Sequence, residues 1–437
     1  MAPDDGYHRR INSNSADLDR GPLISRRAAL AGLTAIVVSL ALLADTFVQR
    51  GSAGLYNDFY DYWLAAHVLA AGGNPYDTTA LAAAAARAGL RYTLGTGYSY
   101  PVLFAYLCVP LTALSPGMAA WVFSVIGVAG LGISVALLAG SLDGLATREL
   151  FLLGAISGGL TPVTGSLYFG QANLLVLPLL ALAYRAAWRP ATLGLAAAVK
   201  LFPVAALAAL AARGRDSIGT LAATAATALA LIVLPNLVAG RSGAGEVSSL
   251  FGADPFWTNE SINGFISRLS MKTEVTAPPL PGLPVVPIEF VLVGLLGLLV
   301  LIVILRAGGR PWSGCLALTL AYGVVAAPKN SIWNYTPLLL LVFFCWPRVR
   351  HSRPAMAILL GGLGLIELQS VIDYFRATIY SAPALTWLSS LALYGALALM
   401  ALNAYLLLRA VPPDQTADGV VQANQALGAT EELRRGQ

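Results

Sequence analysis

The sequence predicts an all-α protein built into a membrane, and three observations carry that prediction. Hydrophobic residues make up 57% of the 437 and charged residues only 11%, with a mean hydropathy of +0.70, whereas soluble domains carry about 25% charged residues. Apolar stretches of about 20 residues, the length that crosses roughly 30 Å of hydrocarbon, recur from Ala28 to Arg409. Arginines stand in short clusters between these stretches, at Arg26-Arg27, Arg213 to Arg215 and Arg348 to Arg353. That is the charge pattern of loops retained on the cytoplasmic side of a membrane.

The same pattern accounts for the formal net charge of +5, so nucleic acid is excluded as a partner and membrane lipids are expected instead. Cys108, Cys315 and Cys345 lie singly inside apolar runs, where a thiol behaves as a small hydrophobe. Neither a disulfide framework nor a zinc pattern is indicated. His8, His67 and His351 are too far apart in sequence to form a helical metal pair, and no metal or other cofactor is expected.

Residues 1–24 and 412–437 are polar and poor in aromatics, which predicts tails; the membrane domain is read as 28–410, between cytoplasmic tails 1–27 and 411–437. Ser25-Arg26-Arg27-Ala28-Ala29-Leu30 resembles a twin-arginine export signal, but no small-residue cleavage site follows and many apolar runs do. It is read as the basic start of an uncleaved first helix. Spans are predicted near 28–45, 117–140, 149–164, 171–187, 217–239, 286–306, 312–327, 332–347, 354–372 and 386–409, with 99–115 and 190–212 interrupted. The second interruption falls at Lys200-Leu201-Phe202-Pro203, because proline breaks the helical hydrogen-bond ladder.

Arginines at 185–189, 213–216, 306–312 and 347–353 assign those turns to the cytoplasm with both termini, and the expected location is the inner membrane of a bacterium. The Lys200 break, the Thr161 to Gln171 turn, the loop 240–285 and the Pro328 to Ser331 turn then face outward. Segment 99–115 dips and returns, since a full crossing would reverse the parity. In the first outer loop, 46–98, Asp58 to Ala71 reads as a helix whose Phe59, Tyr60, Tyr62 and Trp63 suit the headgroup zone. It ends at Gly72-Gly73 and the turn Asn74-Pro75-Tyr76-Asp77, before a second helix at Ala80 to Ala88.

Chemistry-bearing residues gather on the outward segments. Asp58 and Asp61 share one helical face; Asp58 can serve as a general base toward a hydroxyl, or simply cap its helix. Lys200, at a break in an apolar stretch, can hold a phosphate, or snorkel to the headgroups. Gln171 and Asn173 can bond sugar hydroxyls, or hold helices together. Asn259, Asn263 and Arg268 form a further polar group, and Lys329 stands near Trp333 and Tyr335, which can stack on a sugar ring or anchor the chain at the interface.

Together these segments resemble glycosyltransferase family 87, within the multispanning GT-C superfamily. Five motifs carry the resemblance: Asp58-Phe59-Tyr60-Asp61-Tyr62 with Gly73-Asn74-Pro75-Tyr76-Asp77, Tyr100-Pro101-Val102-Leu103, Gly170-Gln171-Ala172-Asn173-Leu174, Lys200-Leu201-Phe202-Pro203 and Asn259-Glu260-Ser261-Ile262-Asn263-Gly264. The resemblance implies a GT-C bundle of about 12 transmembrane helices (roughly 10–13), and the chain is expected to act as a monomer. It implies a polyprenyl-phosphate sugar donor, commonly of mannose, and a glycolipid or lipid-linked glycan acceptor. It also implies inverting transfer, with Asp58 as catalytic base and Asp61, Tyr62, Tyr76, Tyr100, Gln171, Asn173, Lys200, Asn259, Asn263, Arg268, Lys329, Trp333 and Tyr335 contributing to substrate binding. One departure stands out: members resembling the mannosyltransferases carry histidine after the tryptophan of the late outer turn, and this chain has Trp333-Asn334-Tyr335.

Three alternatives stay open. The same scaffold can serve an arabinofuranosyl or other hexosyl donor, or persist without activity. A lipid or solute transporter would show matching broken helices in two halves, and only the Lys200 break is evident.

Overall fold

The computed structural model describes residues 24–50, 55–90, 98–142, 144–185, 189–238, 252–273, 276–308 and 311–409. Residues 1–23 of the expected first tail, the expected second tail 411–437, and parts of the loops 46–98 and 240–285 lie outside them. The described chain is helical, with one isolated β-bridge between Asn259 and Ser331.

The first helices are α1 (Arg26–Arg50), α2 (Asn57–Ala70), α3 (Thr78–Arg87), α4 (Val102–Cys108) and α5 (Pro116–Ala139). Next come α6 (Thr147–Gly159), α7 (Thr161–Phe169), α8 (Asn173–Tyr184), α9 (Arg189–Val199), α10 (Ala206–Ala211) and α11 (Ile218–Val238). The remainder are α12 (Ile262–Ser270), α13 (Val285–Arg306), α14 (Trp312–Ala326), α15 (Leu339–Val349), α16 (Arg353–Tyr374), α17 (Arg376–Ile379) and α18 (Leu391–Arg409).

Six of these, counting the turn before α18 with it, are long and apolar enough to cross a membrane, and seven if α6 and α7, bent by 47°, form one broken span. The larger count expected from hydropathy is not reached on length, because the apolar segments Val102–Ala113, Asn173–Tyr184, Phe202–Ala211 and Trp312–Ala326 are shorter, at 10–17 residues. The short α8 and α14 bury most of their side chains inside the bundle, so protein surrounds much of their length. Leu229 and Leu234 of α11, and Val291, Leu295 and Leu299 of α13, are exposed. Such apolar faces belong against lipid. The chain is a multi-pass membrane protein.

Small residues allow close packing. A Cβ on Gly154 or Gly158 of α6 would run into the backbone carbonyls of Ala31 and Ala35 of α1, the close approach that small residues permit between membrane helices. The centre is filled by α14 and α15, where Cys315, Leu316, Phe343, Phe344 and Cys345 are fully buried.

Two ends of the bundle differ in chemistry. At one, Arg27 donates to the Leu145 carbonyl, Arg350 pairs with Glu149 at 3.0 Å, and Arg189 lies 4.6 Å from the Trp312 ring centre. At the other gather α2, the α7–α8 corner, the Lys200 break and the turn 328–335. Two expectations are corrected here. Phe59, Tyr62 and Trp63 are buried against protein rather than turned to headgroups, with Trp63 Nε1 donating to Leu111 O at 3.2 Å. Thr161 to Phe169 is a helix, not a turn.

Candidate active site

The site begins at the entry to α2. Tyr56 takes a left-handed conformation (φ 60°) and its N–H donates to Tyr168 O at 2.9 Å, which fixes where α2 starts. No side chain caps this helix. Asp77 does cap α3, accepting from Thr79 N at 2.8 Å and Ala80 N at 3.2 Å. Asp58, in the first turn of α2, instead turns its carboxylate to Gln171, whose Nε2 donates to Oδ2.

Gln171 reaches Asp58 because α7 ends at Gly170. That residue is left-handed (φ 70°), and a Cβ there would lie 2.6 Å from Phe59 Cβ. Both the conformation and the contact require glycine. The other end of the amide, Oε1, accepts from Tyr100 OH at 2.9 Å and Lys200 Nζ at 3.4 Å, with Tyr62 OH 3.3 Å away. Tyr62 also donates to Tyr100 OH at 2.8 Å, and Tyr76 donates to Tyr100 O at 2.9 Å. One amide thus bridges the carboxylate and the ammonium.

The break after α9 delivers Lys200. Its ammonium donates to Asn173 Oδ1 and Asn334 Oδ1, each at 2.5 Å, and sits 5.5 Å from the centre of the Tyr100 ring. Asn173 Nδ2 in turn donates to Asn334 Oδ1 at 3.0 Å, Trp333 O at 2.8 Å and Ser166 Oγ at 3.1 Å. Among the described residues Lys200 forms no ion pair. Its charge is met by neutral amide dipoles, so it retains the capacity to bind an anion. Beside it the rings of Trp333 and Phe169, both partly exposed, stand 4.3 Å apart.

Burial pushes the Asp58 carboxyl up to about 6, against the Gln171 hydrogen bond and the Lys200 charge, which pull it down. Asp58 lies outside the apolar spans. The group is therefore ionised near neutral pH, yet a better proton acceptor than an ordinary aspartate.

Asn259, Asn263 and Arg268 lie on the far side of the turn 328–335, which ends in Tyr335, and all four are fully or almost fully buried and bonded to protein. Asn259 Oδ1 accepts from Asn330 N at 3.0 Å, and its Nδ2 donates to Pro328 O at 3.0 Å. Tyr335 OH donates to Glu260 O at 2.5 Å. Asn263 Nδ2 donates to Glu289 Oε2 at 2.6 Å. Arg268 donates to Ser389 Oγ (2.9 Å), Ser390 Oγ (2.6 Å) and the carbonyls of Phe256 (3.1 Å), Asn259 (2.6 Å) and Ser389 (3.0 Å). The Glu260 carboxyl, 3.7 Å from Arg268, accepts no hydrogen bond, and burial pushes it up to about 8 although Arg268 opposes this.

Of the remaining residues, Asp61 is partly buried beside the tyrosines, and Lys329 is exposed. Sequence reasoning did not single out Ser166, Phe169, Glu260 or Asn334 as site groups. Asn334 was in view as the departure from histidine, but only the fold shows that its amide oxygen faces Lys200. Among the described residues no three His, Cys, Asp or Glu side chains converge as metal ligands.

A broken-helix lysine, a carboxylate outside the spans and an aromatic pair, all at one end of an apolar bundle, define the class: a multi-pass membrane protein with a built polar site. Residues 98–328, more than half of the chain, match the model of Glycosyltransferase family 87, and the chain belongs to that family. It is a membrane glycosyltransferase. No curated protein matches the chain. The matched region holds Tyr100, Gln171, Asn173, Lys200, Asn259, Asn263 and Arg268, while Asp58, Trp333 and Asn334 lie outside it and rest on geometry.

Proposed function

We propose that this enzyme moves a sugar, mannose, from a polyprenyl-phosphate donor to a glycolipid or lipid-linked glycan acceptor, with inversion and with Asp58 as general base. The observation that carries this reading is the Asp58–Gln171–Lys200 bridge. It holds a proton acceptor and an anion-binding cation a fixed span apart. Gln171 occupies Oδ2 of Asp58, and Oδ1 takes the proton from the acceptor hydroxyl. The hydroxyl oxygen bonds to the anomeric carbon while the bond from that carbon to the phosphate oxygen breaks. The electron pair leaves with the polyprenyl phosphate, whose growing negative charge is stabilised by Lys200. Trp333 and Phe169 supply an apolar face for the sugar ring.

Asp61, Tyr62, Tyr76 and Tyr100 line the Asp58 side of the site, and Asn173 with Asn334 sets the direction of Lys200. Asn259, Asn263, Arg268 and Tyr335 serve substrate binding indirectly, by fixing the turn that carries Trp333 and Asn334, while exposed Lys329 offers a cation at its rim. The shorter helices pass between the two ends as well, giving the GT-C bundle of about 12 passages. The arginine-rich end lies in the cytoplasm with both termini, which puts the site on the outer face of the bacterial membrane.

The test is transfer by membranes containing the full chain, offered a panel of polyprenyl-phosphate sugars. Transfer from the mannose donor is expected, and turnover of none of them would defeat the reading. Arabinofuranosyl and other hexosyl donors belong in the panel, because Asn334 replaces the histidine of the mannose-transferring pattern. Sidedness is tested with single cysteines read by an impermeant thiol reagent in spheroplasts, in a chain lacking the native three. Positions 77 and 329 are expected to label, and labelling of 213 but not 329 would reverse the assignment.

A further inference from the structure

A carboxylate inside an apolar span costs free energy and by default marks function, and α16 carries Glu367 in such a span. Its partner lies far away in sequence. Oε1 of Glu367 accepts from Thr161 N at 2.9 Å and Oε2 from Thr161 Oγ1 at 2.8 Å, with Ser370 Oγ 3.0 Å from the same hydroxyl. Thr161 is the first residue of α7, where the 47° bend from α6 frees backbone N–H groups. Two bonds from one planar carboxylate fix both the direction and the rotation of the helix end.

What α7 carries explains why its placement matters. Within nine residues, Ser166 Oγ donates to Trp333 O at 3.0 Å, Tyr168 O receives the Tyr56 N–H that starts α2, and Gly170 seats against Phe59. Gln171 N donates to Ser166 O at 2.8 Å, so the amide that holds Asp58 is tied to the helix end. A helix this short has little stability of its own. Its two ends are held from outside, by Glu367 at one and by α2 at the other.

We infer that Glu367 is a positioning residue for the transfer reaction: through Thr161 it aims α7, and α7 aims the Gln171 amide at Asp58. This inference rests on the reading of Asp58 as base. A role confined to capping α7 would cost folding but leave the chemistry of Asp58 unchanged.

The experiment compares Glu367→Ala, Glu367→Gln, Gln171→Leu and the Glu367→Ala/Gln171→Leu pair, in the full chain in lipid nanodiscs. The Gln171 bond lowers the Asp58 pKa, so Gln171→Leu moves the acid limb of kcat/KM to higher pH. Glu367→Ala is expected to move it the same way and to lower kcat by about tenfold to 10²-fold, as a small misplacement does. Glu367→Gln, which keeps an acceptor for the Thr161 N–H, restores the limb. In the Gln171→Leu background Glu367→Ala adds little, since both act through one group. Amide exchange over 161–171, read without substrate, should quicken in Glu367→Ala and return in Glu367→Gln. An unmoved acid limb, losses that multiply in the double variant, or unchanged exchange would each overturn the inference. Full transfer by Asp58→Asn would remove the base reading instead, and the exchange measurement would still decide whether Glu367 holds α7.

Discussion

Two polar clusters share one end of this molecule, one on each side of the turn 328–335, and they treat charge in opposite ways. Around Arg268 every donor is spent on a protein oxygen, Glu260 is sealed beside it, and neither side chain is exposed. Around Lys200 the cation rests on amide oxygens with no ion pair among the described residues, and Asp58 has one oxygen engaged by Gln171. Arginine suits the first role, because its planar fork satisfies many acceptors at once, and lysine suits the second, as a compact charge. A closed cluster fixes the turn, and an open one keeps capacity for a substrate.

The largest effect that would break this contrast concerns Asp58. Asp58→Asn should lower transfer by about 10²–10⁴-fold while insertion and donor binding persist, because an amide cannot accept the proton. Asp61→Asn, on the same helical face, is the control and should stay near wild type. A loss confined to Asp61→Asn would move the base by one turn.

In the closed cluster the expected damage is to folding. Arg268→Ala removes one partner of a buried pair and should cost about 3–5 kcal/mol, read as a lower Tm in detergent and less protein in the membrane. The Glu260 carboxyl is pushed up to about 8 and accepts no hydrogen bond, so Glu260→Gln, which leaves the Arg268 hydrogen bonds in place, should cost less than Arg268→Ala. Equal loss of stability in Lys200→Ala would erase the distinction between the clusters. Lys200→Ala is expected instead to raise the apparent KM for the donor about tenfold or more, with Lys200→Arg keeping part of the activity. Normal turnover at limiting donor would leave Lys200 as a snorkelling residue.

Most of the helices, the Lys200 break and the outer-loop helices were legible in sequence, because each depends on local periodicity or a breaker residue. Segment 161–171 was not, since its helix is held by Glu367, 206 residues away. Arg268 looked like an available cation for the same reason: its oxygen partners at 389 and 390 belong to a distant segment. Asn334 was visible as a departure from histidine, but its contact with Lys200 depends on how the turn folds back over the break. What local pattern cannot show is which polar groups have already found partners.

The most direct measurement is the pH dependence of kcat/KM for wild type and for the residual activity of Asp58→Asn. The folded-state pKa of Asp58 is raised to about 6, and the base must be ionised to act, so wild-type activity should fall as pH drops through about 6 and level off above it. In Asp58→Asn that limb should vanish. A flat wild-type profile between about pH 5 and 8, or the same limb surviving in Asp58→Asn, would contradict a general base at Asp58.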